Sequence, residues 1–167
     1  TIRLLGAGAA MSQARSVTIT RDVIQEEDAG VRSRTVNITR DGQQYTFGVI
    51  EIPSFYLNYR ARRAGTEYRS VSEDTNNALK DLQTKNVEGI IIDLRNNPGG
   101  SLEEVSRMIG QVIKSGPVVQ IRDGNGNVNV FEDNDAGQQT YAGPLAVLVN
   151  LASASASEIY SAAIQDY

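Results

Sequence analysis

Hydrophobic residues form unbroken runs in some segments of the chain and alternate with polar residues in others. The unbroken runs at residues 89–94 and 145–149 have the length of a strand and are typical of strands covered on both faces, as in parallel sheets. Residues 34–40 and 43–52 flank Asp41-Gly42, a dipeptide that favours a tight turn. These two segments therefore predict a β-hairpin.

Apolar residues at helical spacing predict two helices, each of which begins with a capping box. Ser70 and Glu73 start a helix that runs to about residue 85, and Ser101 and Glu104 start another that runs to about residue 114. Before the first helix, residues 54–69 are rich in Tyr and Arg without periodicity and predict a loop. The predicted apolar faces consist of Ala78, Leu79 and Leu82 in the first helix, and of Leu102, Val105, Met108, Ile109 and Ile113 in the second.

The order of the elements predicts an α/β fold with a mostly parallel sheet and flanking helices. From residue 43 onward strands and helices alternate, with strands also at residues 117–122 and, as an extra short one, at 128–131. Such strand–helix–strand units cross over right-handed and give parallel strands. Sites in these sheets form beyond the carboxyl ends of the strands, where residues 96–100 and 152–157 fall.

The amino-terminal part of the chain has a different character. Short strands are predicted at residues 1–5 and 16–21, and the second of them alternates and is rich in β-branched residues. Residues 25–32 are mostly acidic and polar, which predicts a linker or a domain junction.

Composition narrows the classes of function. The net charge of −4 and the pI near 4.9 argue against a nucleic-acid-binding surface. No apolar run approaches 18 residues, so no transmembrane helix is predicted. The chain contains no Cys and no His, which disfavours a zinc site, and its carboxylates lack EF-hand spacing. We therefore expect neither a metal nor another cofactor.

Ser155 is the candidate nucleophile. It lies at a predicted strand-to-helix turn, where unpaired N–H groups and the helix dipole favour a reaction that generates an oxyanion. The alternative interpretation is a helix cap, because Ser155 and Glu158 also have capping-box spacing. The alternation of Ser and Ala in residues 152–157 favours the nucleophile, since a cap needs only one serine. Without histidine, the base must be another group.

A second turn offers oxyanion donors. Asn97-Pro98-Gly99-Gly100 is either an ordinary turn or a loop that exposes an N–H of Gly99 or Gly100 to a substrate carbonyl oxygen. Together with the N–H of Ala156, such a donor would complete a two-donor oxyanion hole.

Neither the lysines nor Asp166 has an evident role as the base. Asp166 follows Ser155 by eleven residues, which places it on the same helix face but about 16 Å away. It is either a supporting residue or a solvated carboxylate. Lys80, Lys85 and Lys114 are predicted to be solvated, whereas a lysine base must be buried to lose its proton near neutral pH.

Residues 89–100 and 145–166 together resemble the C-terminal processing (tail-specific) proteases of bacteria, most closely the periplasmic tail-specific type. The resemblance extends over the whole chain. It implies a ClpP/crotonase-like core and a serine endopeptidase with a Ser/Lys dyad. It also implies that Ser155 is the nucleophile, that Gly100 and Ala156 donate to the oxyanion, and that Asp166 has a supporting role.

The same resemblance implies a domain division and a setting. Residues 1–28 would be the C-terminal remnant of a PDZ domain with its linker, and residues 29–167 a protease core that is incomplete at both ends. The family's lysine follows the serine's helix, so we expect this chain to lack it and to be inactive. The expected partners are unfolded or tagged proteins bound through their C-termini. The expected location is the periplasm or cell envelope of a bacterium, and membrane association and oligomeric state are left open.

Two other classes of function remain as alternatives. The first is a non-catalytic scaffold of the same fold that binds tails or partner proteins. The second is a crotonase-type enzyme acting on acyl thioesters, since related folds also use paired backbone amides.

Overall fold

The computed structural model describes residues 2–8, 10–20, 30–133 and 139–167. The helices and strands follow one another along the chain in a mixed α/β order. They are β1 (Ile2–Leu4), a 3-10 turn (Met11–Gln13), β2 (Arg15–Val17), β3 (Arg32–Arg40), β4 (Gln43–Glu51), α1 (Tyr59–Ala64), α2 (Val71–Thr84), β5 (Gly89–Asp93), α3 (Leu102–Gly110), β6 (Gly116–Arg122), β7 (Val128–Asp133), β8 (Leu145–Leu148) and α4 (Ala156–Asp166).

A four-stranded sheet with the order β3-β4-β5-β8 forms the centre of the fold. β3 and β4 are antiparallel and turn at Asp41 and Gly42, which both have positive φ, as the hairpin prediction requires. β4, β5 and β8 are parallel. The predicted mostly parallel sheet is thereby confirmed. Its parallel geometry brings the carboxyl ends of β5 and β8 side by side.

The core lies between this sheet and the helices α2, α3 and α4. β5 is buried on one face, with Ile90 and Ile92 at most 1% exposed, but Ile91 on the opposite face is only partly buried, so the prediction of cover on both faces was wrong in part. The predicted helical faces are also buried, apart from the partly buried Leu102. Ser70 and Ser101 cap their helices as expected, each accepting a backbone N–H at 3.3 Å.

The prediction of a loop over residues 54–69 was wrong in part, because α1 lies within it. This helix has six residues and no buried one, so it carries no apolar periodicity to detect. Its ends are held by the Asn58 side chain, which accepts the N–H of Ala61, and by Gly65 in a left-handed conformation. Arg62 also binds Glu103 on α3 at 2.5 Å.

Two predictions about strands were also wrong. β8 is not covered on both faces. It is an edge strand of the sheet; its last residue, Leu148, is 39% exposed, and the next residue, Val149, is 50% exposed. β6 does not join the main sheet but pairs with β7 as a separate antiparallel hairpin. An apolar run has the same appearance in a central and an edge strand, so only the tertiary packing separates them. In addition, α3 ends at Gly110 rather than near residue 114.

The predicted amino-terminal strands are present as β1 and β2, an antiparallel pair that is mostly exposed. Most of the predicted linker lies outside the described residues, so the domain division at residue 28 stays a prediction. In the described ranges no helix is both long enough and apolar enough to cross a membrane. The same ranges contain no cluster of acidic residues suited to a metal ion.

Candidate active site

Two turns meet where β5 and β8 end. We call residues 96–100 the glycine turn and residues 150–157 the serine turn. The carbonyl oxygen of Asn97 accepts hydrogen bonds from Ala154 N at 3.1 Å and from Ser157 Oγ at 3.0 Å. A Cβ placed on Gly99 would lie 2.8 Å from Ser155 Cβ. The two predicted site segments are therefore in direct contact.

A second set of polar contacts fixes the starts of the two turns. The side chain of Asn150 accepts the N–H of Asn96 at 3.0 Å and donates to Asn96 Oδ1 at 2.9 Å. Ser153 Oγ donates to the carbonyl oxygen of Leu94 at 2.8 Å and accepts the N–H of Asn150 at 2.9 Å. These bonds satisfy backbone groups that the end of each strand leaves unpaired.

Ser155 has a strained backbone, with φ of 55° and ψ of −115°. A non-glycine residue rarely adopts this region, and such strain concentrates at functional sites. A sharp turn from strand to helix of this kind exposes the nucleophilic serine in hydrolases with a nucleophile elbow. Glu158 Oε2 accepts the N–H of Ser155 at 2.6 Å, but the Ser155 side chain makes no capping hydrogen bond. Only the glutamate half of the predicted capping box is formed.

The three serines of the alternating run have different surroundings. Ser153 is bonded within the turn, and Ser157 is fully buried against Asn97. Ser155 is exposed, and among the described residues its hydroxyl has no hydrogen-bond partner. The hydroxyl that the sequence selects as nucleophile is therefore the one left available for chemistry.

The structure also distinguishes between the two candidate donors of the glycine turn. The N–H of Gly99 donates to Asn97 Oδ1 at 2.8 Å, so it is occupied. Within the described ranges the N–H groups of Gly100 and Ala156 donate to no other residue. A Cβ on Gly99 would lie 3.0 Å from Ala156 N, which sets the Ala156 amide against the glycine turn.

Both glycines of this turn are required by the geometry. Gly99 has φ of 99° and Gly100 has φ of 147°, and side chains disfavour both values. A Cβ on Gly100 would overlap the carbonyl oxygen of Phe55, which accepts the N–H of Ser101 at 2.8 Å. Glycine at both positions thus lets the turn pack closely against Phe55 and the serine turn.

Asp166 and the lysines make no described contact with the serine turn. Asp166 is exposed at the last residue of α4, about 16 Å along the helix from Ser155. Lys80, Lys85 and Lys114 are exposed as predicted, and Lys85 pairs with Asp81 at 2.7 Å. The supporting role of Asp166 stays a prediction.

A cleft of about 470 Å³ lies beside the two turns, at the carboxyl ends of the strands. Asn96 and Asn150 line one side of it, and the ion pair of Asp93 with Arg95, 2.6 Å long, lines another. Hydrogen bonds from Arg95 lower the pKa of the Asp93 carboxyl below its ordinary value. Ser155 itself does not line this cleft, which reaches the two turns only at Asn96 and Asn150.

Sequence reasoning missed the residues that join the turns, namely Asn97, Asn150 and Ser157. Asparagine next to glycine and proline is typical of any turn, so it carries no specific signal. The one available hint was that polar residues after two neighbouring parallel strands must share one edge of the sheet.

The sequence profile of peptidase family S41 matches residues 46–167, a range that includes both turns. The chain belongs to peptidase family S41. The predicted resemblance to tail-specific proteases is confirmed by individual relatives as well.

Two bacterial relatives are similar to nearly the whole S41 chain. The tail-specific protease of Haemophilus influenzae is 39% identical over 155 residues, which is 93% of this chain and 20% of that protein. A protein of Staphylococcus saprophyticus named probable CtpA-like serine protease is 31% identical over 156 residues, which is 93% of this chain and 27% of that protein. The chain thus spans only about a fifth to a quarter of the length of these relatives.

Solved structures agree on the fold. The photosystem II D1 C-terminal processing protease matches with a TM-score of 0.66 at 24% identity, covering 93% of this chain and 38% of its own. A lipoprotein from Streptococcus agalactiae matches with a TM-score of 0.52 at 19% identity, covering 81% of this chain and 46% of its own. At these identities the similarity concerns the fold alone.

Proposed function

We propose that this chain forms part of the core of a tail-specific serine endopeptidase in which Ser155 is the nucleophile. One observation carries the proposal: Ser155, with a strained backbone, lies where the serine turn contacts the glycine turn, and within the described residues its hydroxyl and one N–H of each turn, on Ala156 and Gly100, have no partner. We also infer that the fold is the ClpP/crotonase-like core expected from the sequence.

The proposed reaction follows from these groups. Ser155 Oγ attacks the scissile carbonyl carbon, and its proton passes to the base. The carbonyl oxygen becomes an oxyanion that accepts hydrogen bonds from the Gly100 and Ala156 N–H groups. The C–N bond then breaks, the base protonates the leaving amine, and water hydrolyses the acyl-serine by the same route in reverse.

The base is proposed to be a lysine that follows Tyr167 in the complete protein. The three lysines of this chain, Lys80, Lys85 and Lys114, are exposed and make no described contact with the serine turn. We therefore propose that the chain by itself does not turn over substrate. Asp166 is retained as a proposed supporting residue, which acts from a distance and not on the Ser155 hydroxyl.

The substrates are proposed to be proteins that are bound through unstructured C-terminal tails. The name of the Haemophilus relative, tail-specific protease, supports this for the family. Residues 1–28 would then be the end of a PDZ domain and its linker, and the protein would act in the periplasm or cell envelope of a bacterium.

The test compares the protein encoded by the complete reading frame with its Ser155→Ala variant on a peptide with a nonpolar C-terminal tail. We expect kcat/KM to fall by about 10⁴-fold or more, because the nucleophile is lost. Ser70→Ala is the control: it removes another serine of a Ser-x-x-Glu pattern, at the start of α2, and should keep the activity.

Full activity of Ser155→Ala would contradict the proposal. If the complete, folded protein binds tails and cleaves none, the non-catalytic scaffold is correct instead. Acyl-CoA binding in a thermal-shift assay would favour the acyl-thioester enzyme.

A further inference from the structure

Asn97 is a buried polar residue at the junction of the two turns. It is 0% exposed, and both ends of its side-chain amide are bonded. Nδ2 donates to the carbonyl oxygen of Ile52 at 2.8 Å, and Oδ1 accepts the N–H of Gly99 at 2.8 Å. The amide therefore ties the glycine turn to the residue that follows β4.

The backbone of Asn97 holds the other turn. Its carbonyl oxygen accepts one hydrogen bond from the N–H of Ala154 at 3.1 Å and a second from Ser157 Oγ at 3.0 Å. These two donors flank Ser155 and Ala156 in sequence, so the bonds fix the turn on both sides of the candidate nucleophile. Ser157 is itself 0% exposed, which keeps water away from this contact.

These contacts decide which amide is free. Asn97 Oδ1 accepts the N–H of Gly99, so this N–H is not available to a substrate oxygen. The next N–H, on Gly100, is left without a partner among the described residues. Removing the Asn97 side chain would release the N–H of Gly99 and with it the orientation of the peptide unit that carries the Gly100 N–H.

We propose that Asn97 is a positioning residue that sets the oxyanion hole, selecting the Gly100 amide as a donor and fixing its position relative to Ser155 and Ala156. The inference rests on the proposed function. In this proposal Asn97 touches neither the substrate nor the oxyanion, and it acts only by holding the two turns in place. A misplacement of about 1 Å in such a site lowers the rate by about 10²-fold.

The test uses the complete protein with Asn97→Ala and, as a milder change, Ser157→Ala. We expect kcat to fall by about 10²-fold in Asn97→Ala and by about tenfold in Ser157→Ala, with KM changed by no more than about twofold. A peptidyl boronic acid places an oxygen where the oxyanion forms. Its affinity should therefore fall by the same factor as kcat/KM, as transition-state binding requires.

A structural control separates positioning from general loss of stability. Thr75→Val removes another buried hydroxyl, which lies in α2 near Met108 and away from both turns. It should lower the unfolding temperature without changing kcat or boronate affinity. All measurements are made well below each variant's unfolding temperature.

The outcomes distinguish this inference from the proposed function. If folded Asn97→Ala keeps its kcat and its boronate affinity, the positioning role is wrong. The proposed function still holds in that case, provided that Ser155→Ala is inactive. If Asn97→Ala does not fold, an unchanged kcat in Ser157→Ala overturns the positioning role. A tenfold loss of kcat in Thr75→Val also overturns it, because that residue is away from both turns. If Ser155→Ala remains active, the proposed function itself is wrong.

Discussion

The starts of α3 and α4 share one sequence pattern and have two different structures. Each begins with Ser-x-x-Glu. At α3, Ser101 has φ of −68° and ψ of 123°, and its hydroxyl accepts the N–H of Glu104, as in an ordinary cap. At α4, Ser155 has positive φ, and its hydroxyl caps nothing.

The two glutamates also have different partners. Glu158 reaches back to the N–H of Ser155 at 2.6 Å, whereas the carboxylate of Glu104 turns to α2 and accepts the N–H of Ser72 at 3.0 Å. A capping box has two halves, and these two helices each form a different one. At α4 the glutamate half forms while the serine hydroxyl makes no capping bond, which leaves it free to act as a nucleophile.

The largest effect on stability is expected where the glycine turn leads into α3. Gly100→Ala should lower the free energy of unfolding by about 3 kcal/mol, because its Cβ would overlap the Phe55 carbonyl oxygen at a strained φ. Gly124→Ala is the control, since a Cβ there would contact nothing within 4 Å. Denaturant unfolding measures both, and equal stability of the two variants would contradict the packing described.

Glycine substitutions of Ser155 and Ser101 should change the free energy of unfolding in opposite directions. Ser155→Gly should raise the free energy of unfolding by about 0.5–1 kcal/mol, since glycine tolerates positive φ. Ser101→Gly should lower it by a few tenths of a kcal/mol, because a working cap is lost there. Destabilisation by Ser155→Gly would mean that its backbone is not strained.

Alanine substitutions should show a smaller difference in stability between a capping serine, Ser70, and Ser155. Ser70→Ala should lower the free energy of unfolding by about 1 kcal/mol, because its hydroxyl accepts the N–H of Glu73. Ser155→Ala should change it by less than about 0.5 kcal/mol, since no capping bond is lost. Equal losses in thermal unfolding would show that Ser155 is an ordinary cap.

The smallest effect is a difference in acid response. Hydrogen bonds from Arg62 lower the pKa of Glu103 in the first turn of α3, so the pair stabilises the fold above the ordinary glutamate pKa. That contribution is lost as the pH falls through the lowered pKa. It is small because Glu103 is 42% exposed. In Arg62→Met the pKa of Glu103, measured by NMR titration, should return toward its ordinary value; an unchanged pKa would rule out the pair.

Local patterns predicted much of the fold. The hairpin at Asp41-Gly42, the strand β5 and the buried faces of α2 and α3 follow from turn chemistry and periodicity, which act over a few residues. The exposure of β8 and the separation of β6 from the main sheet depend on distant packing, which no local pattern records.

The candidate site also has parts that local sequence patterns predict and parts that depend on distant contacts. Ser155, Ala156 and the pair Gly99-Gly100 could be selected from the sequence pattern, because strand ends and small residues mark them. The pattern left the choice between the two glycines open, and only the family resemblance pointed to Gly100, because the choice depends on the Asn97 side chain that occupies the N–H of Gly99. The positive φ of Ser155 also depends on contact with a turn more than fifty residues away.

The most direct test of the account is a crystal structure of the complete protein with a peptidyl boronic acid bound. We predict a bond between boron and Ser155 Oγ, with one boronate oxygen within hydrogen-bond distance of both the Gly100 and the Ala156 N–H groups. Boron attached to any other residue, or a boronate oxygen directed away from these two amides, would contradict it.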